Sequence, residues 1–432
     1  MAQKTLANGL QVIVVENHAL PLITVELAAK NGSMTEPPDY NGLSHLYEHM
    51  FFKGNQVLPN QEAFMAKSRA LGMQFNAETG QERVNYYFTT TSDHLADTMA
   101  FMHDAAVTPL FDPKELDRER VVITGEMDRN EANPGYYLNH EAMKHLFYKY
   151  PSRKDPLGDR ATVLKTTVDQ MKTIQNRYYV PNNSALFVVG DVKADDIFAM
   201  ADKLYGDWKK ADDPFVKFPL VEHPALKASS VVVVQQPVQI VVGAILWMGP
   251  SVKGKEIPMT YAADLLTFSE GPPSSKFNQH LVDSGACVGV GMGWQTAVNV
   301  GPIAAQFEAT PDKVDACIKG LLAEMPKIKD ASYISDDELK SGTFNAEMQD
   351  MQARELPSEL SHTLSFWWAT AGLDYYVNYV PNLKKATRAD INTYLDTYVI
   401  NKPFVLAVMV SPEMAKAGLD EKHFNAVVGV KP

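Results

Sequence analysis

The chain has 432 residues, 45% of them hydrophobic, which is enough for two or more domains with large buried cores. Its 52 acidic and 40 basic residues give a net charge of −12, which disfavours nucleic acid as a partner because phosphate backbones attract clusters of Lys and Arg. No apolar run approaches the roughly 18 residues that span a bilayer, so we expect a globular protein without a membrane span.

Strand and helix patterns alternate along the whole chain, which predicts a mixed α+β architecture rather than a helical bundle or a β-sandwich. The candidate strands are Leu10–Val15, Leu22–Lys30, Val84–Thr91, Ala185–Val189, Ser230–Val234, Ile240–Trp247, Ile303–Ala309 and Phe404–Val410. The candidate helices are Gln61–Leu71, Asp93–Ala106, Lys114–Asn130, Val168–Tyr179, Asp195–Leu204, Asp312–Ile328 and Asp337–Glu355.

One unit of helix, turn and strand occurs twice in the chain. Residues 167–192, TVDQMKTIQNRYYVPNNSALFVVGDV, align without a gap on residues 387–412, TRADINTYLDTYVINKPFVLAVMVSP, at a constant offset of 220 residues. Few residues are identical, so a chance similarity of two such units is the alternative. Residues 209–229 carry three prolines among charges and lack a clear period, as a linker does. We therefore predict two related domains, 1–208 and 230–432, joined by a linker at 209–229.

The two cysteines, Cys287 and Cys317, lack the CxxC spacing of a structural zinc or redox site. Both lie in the second half of the chain, and we interpret them as ordinary buried thiols.

The sequence HLYEH at residues 45–49 is the most specific local pattern. His45 and His49 lie one turn apart on a helix predicted between the Asn-Gly pair at 41–42 and the Lys-Gly pair at 53–54. Neutral imidazole nitrogens are good zinc ligands, and Glu48 is placed to take a proton from a zinc-activated water. The alternative is two histidines one turn apart by chance. A catalytic zinc ion also needs a third protein ligand.

The third ligand is sought in ELDRERVVITGEMDRN, residues 115–130, which is predicted to be a helix with Val121, Val122 and Ile123 on its inner side. Glu119 and Glu126 are two turns apart and point the same way. One could ligate the ion while the other accepts a hydrogen bond from a ligand imidazole. A solvated charged face is the alternative interpretation of this pattern.

Four segments resemble, in order and spacing, successive blocks of the pitrilysin family of zinc metallopeptidases, whose inverted HxxEH motif makes them inverzincins. They are LANGLQVIVVEN, NGLSHLYEHMFFKG, FNAETGQERVNYYF and DRERVVITGEMDRNEAN. Glu126 follows His49 after 76 intervening residues. The resemblance covers essentially the whole chain and is strongest through residue 134.

The resemblance implies a zinc-dependent endopeptidase or oligopeptidase that holds one zinc ion per chain. His45, His49 and Glu126 would be the ligands, Glu48 the general base, and Glu119 a catalytic support that orients a ligand. The fold it implies is two related α+β domains, each a mixed, mainly antiparallel sheet flanked by helices, which together form half of a clamshell.

The segment FNAET aligns with the edge strand that pairs with the peptide substrate in this family. Asn76, Ala77 and Glu78 are therefore the expected substrate-binding residues, and main-chain pairing would make few demands on the peptide's sequence. Many relatives carry an aromatic residue where this chain has Glu78. A preference for basic residues near the cleavage point is one hypothesis for Glu78, and a solvent-facing side chain is the alternative.

Family members commonly carry an Arg and a Tyr in the C-terminal region that stabilise the tetrahedral oxyanion. The corresponding segment here is SSKFNQHLVDSGACVGV, with Lys276 at the arginine position and Val288 at the tyrosine position. Complete clamshells contain four such domains and this chain has two. We therefore predict a heterodimer with a related subunit that lacks the zinc motif and supplies the Arg and Tyr, unless Lys276 replaces the arginine.

Two other functions are compatible with the same fold. One is a non-catalytic scaffold subunit, and the other is a peptide-binding module that captures extended segments without cutting them. Because many bacterial relatives of this size are exported, and Met1 stands a few residues before the first predicted strand, we expect a periplasmic location, with the cytoplasm as the alternative.

Overall fold

The computed structural model describes residues 1–430. The strands are β1 (Ala2–Thr5), β2 (Gln11–Glu16), β3 (Leu22–Ala29), β4 (Gln74–Thr79), β5 (Val84–Thr91), β6 (Ser184–Gly190), β7 (Ser230–Gln235), β8 (Val241–Met248), β9 (Gly289–Trp294), β10 (Pro302–Ala309) and β11 (Val405–Val410).

The helices of the first half of the chain are α1 (Leu43–Phe51), α2 (Gln61–Ala70), α3 (Leu95–Val107), α4 (Pro113–Glu131), α5 (Pro134–Leu146), α6 (Arg160–Leu164), α7 (Val168–Tyr178), α8 (Ala194–Tyr205) and α9 (Pro214–Lys217). Those of the second half are α10 (Ile257–Glu270), α11 (Lys276–Asn278), α12 (Val314–Lys327), α13 (Asp336–Gln352), α14 (Pro357–Thr370), α15 (Leu373–Leu383), α16 (Arg388–Tyr398), α17 (Pro412–Lys416) and α18 (Glu421–Val428). Within residues 1–430, no helix has the length and apolar character needed to cross a membrane.

The strands form two sheets of the same design. The order of the first sheet is β1-β2-β6-β3-β5-β4, and that of the second is β7-β11-β8-β10-β9. In each sheet one neighbouring pair, β2 with β6 or β7 with β11, is parallel and the other pairs are antiparallel. The predicted α+β class with mixed, mainly antiparallel sheets is confirmed.

The repeated sequence unit has the same structure in both copies. The helices α7 and α16 each begin at a threonine, Thr167 or Thr387, whose side chain forms a capping box with the third residue of the helix. Each helix leads into a strand, β6 or β11, that pairs parallel on one side and antiparallel on the other. The similarity detected in the sequence therefore reflects a shared structure.

The chain divides into two compact units that each include a segment from the opposite half of the chain. The first unit contains residues 1–129, 152–221 and 351–373, and the second contains residues 130–151, 222–350 and 374–430. Helix α14 packs on β3, β5 and β6 of the first unit, whereas α5 packs on β7, β8 and β11 of the second. The predicted domain boundaries at residues 208 and 230 stay a prediction. They do not account for the placement of α5 in the second unit and of α14 in the first.

Both faces of β3, which lies inside the first sheet, are buried, and its sequence is accordingly an almost continuous apolar run. Val25 and Leu27 on one face join the main core, and Glu26 between them is fully buried on the face that α14 covers. Glu26 accepts hydrogen bonds from Asn85 (2.8 Å) and His362 (2.7 Å). Burial raises the pKa of Glu26, but the bond from His362 and the charge of Arg83 outweigh it and hold the pKa below its usual value. A buried hydrogen-bond network therefore attaches α14 to this sheet.

The prediction that Val121, Val122 and Ile123 all face inward was wrong. Val121 and Val122 are 67% and 46% exposed, and Ile123 alone of the three is buried. Successive helical residues rotate by about 100°, so three in a row cannot share one narrow face.

The interpretation of the cysteines as separate thiols was also wrong, because Cys287 and Cys317 form a disulfide. The bond joins the segment before β9 to helix α12, and both residues are buried. The sequence separation of 30 residues gave no local signal for this pairing, which depends on tertiary packing.

Removal of the disulfide tests its contribution to stability. Cross-linking a loop of this length restricts the unfolded chain, so we expect the Cys287→Ser/Cys317→Ala variant to lose about 3–4 kcal/mol of unfolding free energy. Urea titration of both proteins measures the difference, with thiol counting under denaturing conditions as a check on the wild type. Two free thiols in the oxidised wild-type protein would contradict the pairing.

Candidate metal centre

Helix α1 carries the HLYEH motif and is fixed by its apolar side. The ring of Tyr47 stacks on that of Tyr179, with centroids 4.0 Å apart. The buried residues of the helix are Leu43, Ser44, Leu46, Tyr47, Met50 and Phe51. Since these occupy one side of the helix, His45, Glu48 and His49 are left together on the other side, as the spacing predicts.

The N-terminus of α1 is held by a carboxylate from outside the helix. Its N-cap residue, Gly42, has φ of +93° and offers no capping side chain. Glu36 fills that role: its Oε2 accepts a hydrogen bond from the Gly42 N–H (2.8 Å) and its Oε1 from the Ser44 N–H (2.6 Å). Glu36 is 3% exposed, and burial raises its pKa, although the hydrogen bonds from Gly42 and Ser44 at the positive end of the helix dipole oppose that shift. This contact fixes the backbone immediately before His45.

Three potential ligand atoms converge beside α1. Glu126, on α4, places Oε2 3.5 Å from His45 Nε2 and 3.8 Å from His49 Nε2. In the part of the chain that the structure describes, His45, His49 and Glu126 form one group whose ligand atoms all lie within 4.8 Å of one another. Two imidazoles and one carboxylate at such separations match the protein ligands of a catalytic zinc site.

His49 is oriented by a chain of two further charged residues. Its Nδ1 is 2.9 Å from Glu119 Oε2, while Glu119 Oε1 is 2.7 Å from Lys53 Nζ. Burial raises the pKa of Glu119, but the bonds from His49 and Lys53 outweigh it, so the group stays ionised. A carboxylate on Nδ1 favours the tautomer with its proton there, which leaves the Nε2 lone pair directed at the convergent site.

The protonation states of His45 and Glu48 suit this arrangement. Burial, together with the charge of His49, lowers the pKa of His45 to about 4, so its imidazole is neutral at pH 7. Burial raises the pKa of Glu48 to about 6, although a hydrogen bond from Thr79 opposes this. A carboxylate in this range accepts a proton more readily than an exposed glutamate does.

The predicted substrate-binding residues lie on β4, the edge strand of the first sheet, which packs against α1. Asn76 and Glu78 point to the face opposite α1, with Ala77 between them on the α1 side. The Glu78 carboxylate pairs with Arg83 and yet remains 65% exposed. Its negative charge is therefore partly matched from within the chain.

The two residues at the expected oxyanion positions make other contacts. The Lys276 ammonium donates a hydrogen bond to the carbonyl of Ser332. Val288 is 51% exposed, and its backbone N–H donates to the carbonyl of Glu308 at 2.7 Å. Neither side chain carries the donor pattern of an Arg and Tyr pair.

The structure brings together all five predicted residues of the metal site: His45, Glu48, His49, Glu119 and Glu126. Sequence reasoning missed three supporting residues: Lys53 contacts Glu119, Thr79 contacts Glu48, and Glu36 holds the N-terminus of α1. Lys53 stands four residues after His49, a spacing that could have identified it. Glu36 and Thr79 carry no local signal, because their partners are set by tertiary packing.

Two family models match the chain. Residues 11–157 match the model described as insulinase (peptidase family M16), and residues 165–342 match the peptidase M16 inactive domain. The predicted metal site lies within the first of these matches.

Curated relatives cover about half of the chain. The insulin-degrading enzyme of Bos taurus is 29% identical over 227 residues, 51% of this chain and 22% of that protein. The uncharacterized zinc protease YmxG of Bacillus subtilis is 27% identical over 206 residues, 48% of this chain and 50% of its own. The chain thus matches half or less of the length of these relatives.

A solved structure of a protease from Helicobacter pylori superposes with a TM-score of 0.85 at 22% identity, covering 95% of this chain and 99% of that one. At this identity the likeness establishes the fold.

The cap on α1 can be tested by replacing Glu36. In Glu36→Gln the new amide can accept from one of the two N–H groups and must face the other with its own N–H, so we expect a loss of about 1–3 kcal/mol in unfolding free energy. Chemical denaturation monitored by circular dichroism gives the value. Glu62→Gln, an exposed acid in the first turn of α2, is the matched control and should change stability by less than about 0.5 kcal/mol. Equal stability of the two variants would contradict the role of Glu36.

Proposed function

Because the chain belongs to the pitrilysin (M16) family of peptidases, we propose that it is the zinc-binding subunit of an endopeptidase or oligopeptidase that hydrolyses extended peptides. The observation that carries the proposal is the convergence of two imidazoles and a carboxylate with a second, partly exposed carboxylate on the same helix turn. A scaffold subunit or a peptide-binding module would not need this combination.

The residues present fit a single zinc ion. We assign His45 Nε2, His49 Nε2 and a Glu126 oxygen as its ligands. The neutral state of His45 and the Glu119 contact on His49 both favour free Nε2 lone pairs. The charged chain from Lys53 through Glu119 would keep the His49 ring from rotating away.

Glu48 is assigned as the general base. When bound, zinc polarises the scissile carbonyl and lowers the pKa of an attacking water. Glu48 takes a proton from that water and passes it to the nitrogen of the departing amine, so that the cleaved peptide leaves as a neutral amine. Because Glu48 directly precedes His49 in the same helix, its carboxylate stays beside the metal ligands during both proton transfers.

Peptide substrates would add as a further strand to the free edge of β4. The hydrogen bonds would come from the backbone at Asn76, Ala77 and Glu78, which gives affinity with little demand on sequence. Glu78 keeps an exposed carboxylate that could contact a basic side chain, although the Arg83 pair weakens that attraction. Cleavage-site mapping on a peptide library tests this preference directly.

A second, related subunit is proposed to complete the site. The contacts of Lys276 and Val288 give no support for an oxyanion pair within the second unit. A partner that carries the Arg and Tyr, and itself lacks the zinc motif, would supply those donors. We therefore assign this chain to a heterodimer.

A periplasmic location is proposed in place of the cytoplasm. The buried disulfide between Cys287 and Cys317 supports it, because disulfides persist in oxidising compartments and are rare in the bacterial cytoplasm.

The role of Glu48 is tested by Glu48→Gln. We expect this variant to retain one zinc ion per chain and to lose peptide hydrolysis by at least about 100-fold, because the amide cannot accept the proton. Metal analysis and a fluorogenic peptide assay on the active assembly measure both effects. Glu62→Gln is the matched control and should behave as wild type.

Two outcomes would contradict the proposed function. Full activity in Glu48→Gln would contradict the assignment of Glu48 as the general base. Failure of the wild-type protein to bind zinc would contradict the assignment of the metal centre. A scaffold or binding subunit would show unchanged properties in the variant.

The partner requirement is tested by assaying the purified chain alone and together with a related subunit that carries Arg and Tyr. Since an oxyanion donor contributes about 10²–10³ in kcat, we expect the chain alone to bind zinc and to be at least about 100-fold slower than the mixture. Strong hydrolysis by a homogeneous preparation of this chain would contradict the heterodimer.

A further inference from the structure

The hydroxyl of Thr79 connects the edge strand β4 to Glu48. Thr79 is the last residue of β4, and its Oγ1 donates a hydrogen bond to Glu48 Oε2 at 2.5 Å. We propose that Thr79 is a positioning residue for the proton-accepting carboxylate, and that it makes the orientation of Glu48 depend on the strand to which the peptide substrate adds. This inference rests on the proposed function of the same site.

Strand alternation explains why the hydroxyl points at Glu48. Thr79 lies on the same face of β4 as Ala77 and Phe75, the face that packs against α1 and the main core. Asn76 and Glu78 lie on the other face. Thr79 pairs with Val84 in the last register position before the hairpin turn. Because threonine is β-branched, its side chain has few rotamers in a strand, and the hydroxyl direction follows from the backbone.

The hairpin turn after Thr79 is fixed to the segment that leads into α1. Within the turn, the Gly80 N–H donates to the Arg83 carbonyl at 2.8 Å. The Met34 N–H donates to the Gln81 carbonyl at 2.9 Å. Gly32 allows this close approach, since it has φ of +126° and a Cβ there would lie 2.3 Å from the Gly80 oxygen.

The same segment then fixes the other side of the hydrogen bond. Two residues after Met34, Glu36 binds the N-terminus of α1 and so sets the position of the helix that carries Glu48. One short segment, residues 32–36, thus holds both the turn after Thr79 and the helix that carries Glu48. The geometry of the hydrogen bond is built into the fold before any substrate binds.

This contact has a consequence for proton transfer. With Thr79 on Oε2, the Glu48 carboxylate is held in one rotation and Oε1 is left to accept the proton. Without the hydroxyl, the carboxylate would lose the hydrogen bond that fixes this rotation. Loss of the contact should therefore reduce the rate of the chemical step, while the metal ligands and the backbone of β4 stay in place.

The test compares variants that differ in the hydroxyl alone. Thr79→Val keeps the shape and removes the hydroxyl, Thr79→Ser keeps the hydroxyl, and Thr79→Ala serves if the valine variant does not fold. The matched control is Thr24→Val, which removes the hydrogen bond of the buried Thr24 to the partly buried Thr89 (2.9 Å between hydroxyl oxygens) in the same sheet. Each is assayed in the active zinc-loaded assembly with a fluorogenic peptide, for kcat, KM, zinc content and melting temperature.

We expect Thr79→Val to lower kcat by about 10- to 100-fold with zinc content unchanged and KM within about twofold, as misplacement of a catalytic group does. Thr79→Ser and Thr24→Val should keep kcat within about threefold of wild type. The split between kcat and KM, together with rescue by serine, separates positioning from a loss of stability.

Three results would overturn the inference: wild-type kcat in Thr79→Val, an equal loss in Thr79→Ser, or a loss of zinc in Thr79→Val. A different result, full activity in Glu48→Gln, would contradict the proposed function itself. An inactive Glu48→Gln with a fully active Thr79→Val rejects the positioning role alone.

Discussion

The packing of one short helix against the first sheet fixes the positions of the two candidate histidine ligands, His45 and His49. The apolar side of α1 is buried in the core, and its N-terminus is held by the Glu36 carboxylate. With rotation and position set in this way, His45 and His49 can face only the side where α4 brings Glu126 and Glu119. A nine-residue helix has little stability of its own, so this geometry depends on tertiary contacts rather than on helix propensity.

The sequence predicted those features that are set by residues close to one another in the chain. The spacing within HLYEH and the seven-residue spacing from Glu119 to Glu126 are local, and the structure brings these side chains together. The family resemblance added the order of the blocks and the edge position of β4. The repeat at an offset of 220 residues corresponds to the same helix, turn and strand in both sheets, while the predicted domain boundaries stay a prediction.

The features that were missed or wrong depend on contacts distant in sequence. Helices α5 and α14 each pack on a sheet from the other half of the chain, and no local sequence pattern indicates where they pack. The disulfide joins residues 30 apart, and Glu36 and Thr79 act on α1 from separate segments. The prediction that Val121 and Val122 face inward was wrong for a simpler reason. Consecutive residues of a helix point in different directions, so part of an apolar run must face solvent.

Zinc K-edge absorption spectroscopy reports on whether His45, His49 and Glu126 bind a zinc ion, as we propose. The zinc-loaded chain should show nitrogen and oxygen ligands at about 2.0–2.2 Å with the scattering pattern of two imidazoles, and His49→Ala should show one fewer. A spectrum without imidazole scattering, or one that His49→Ala leaves unchanged, would contradict the claim.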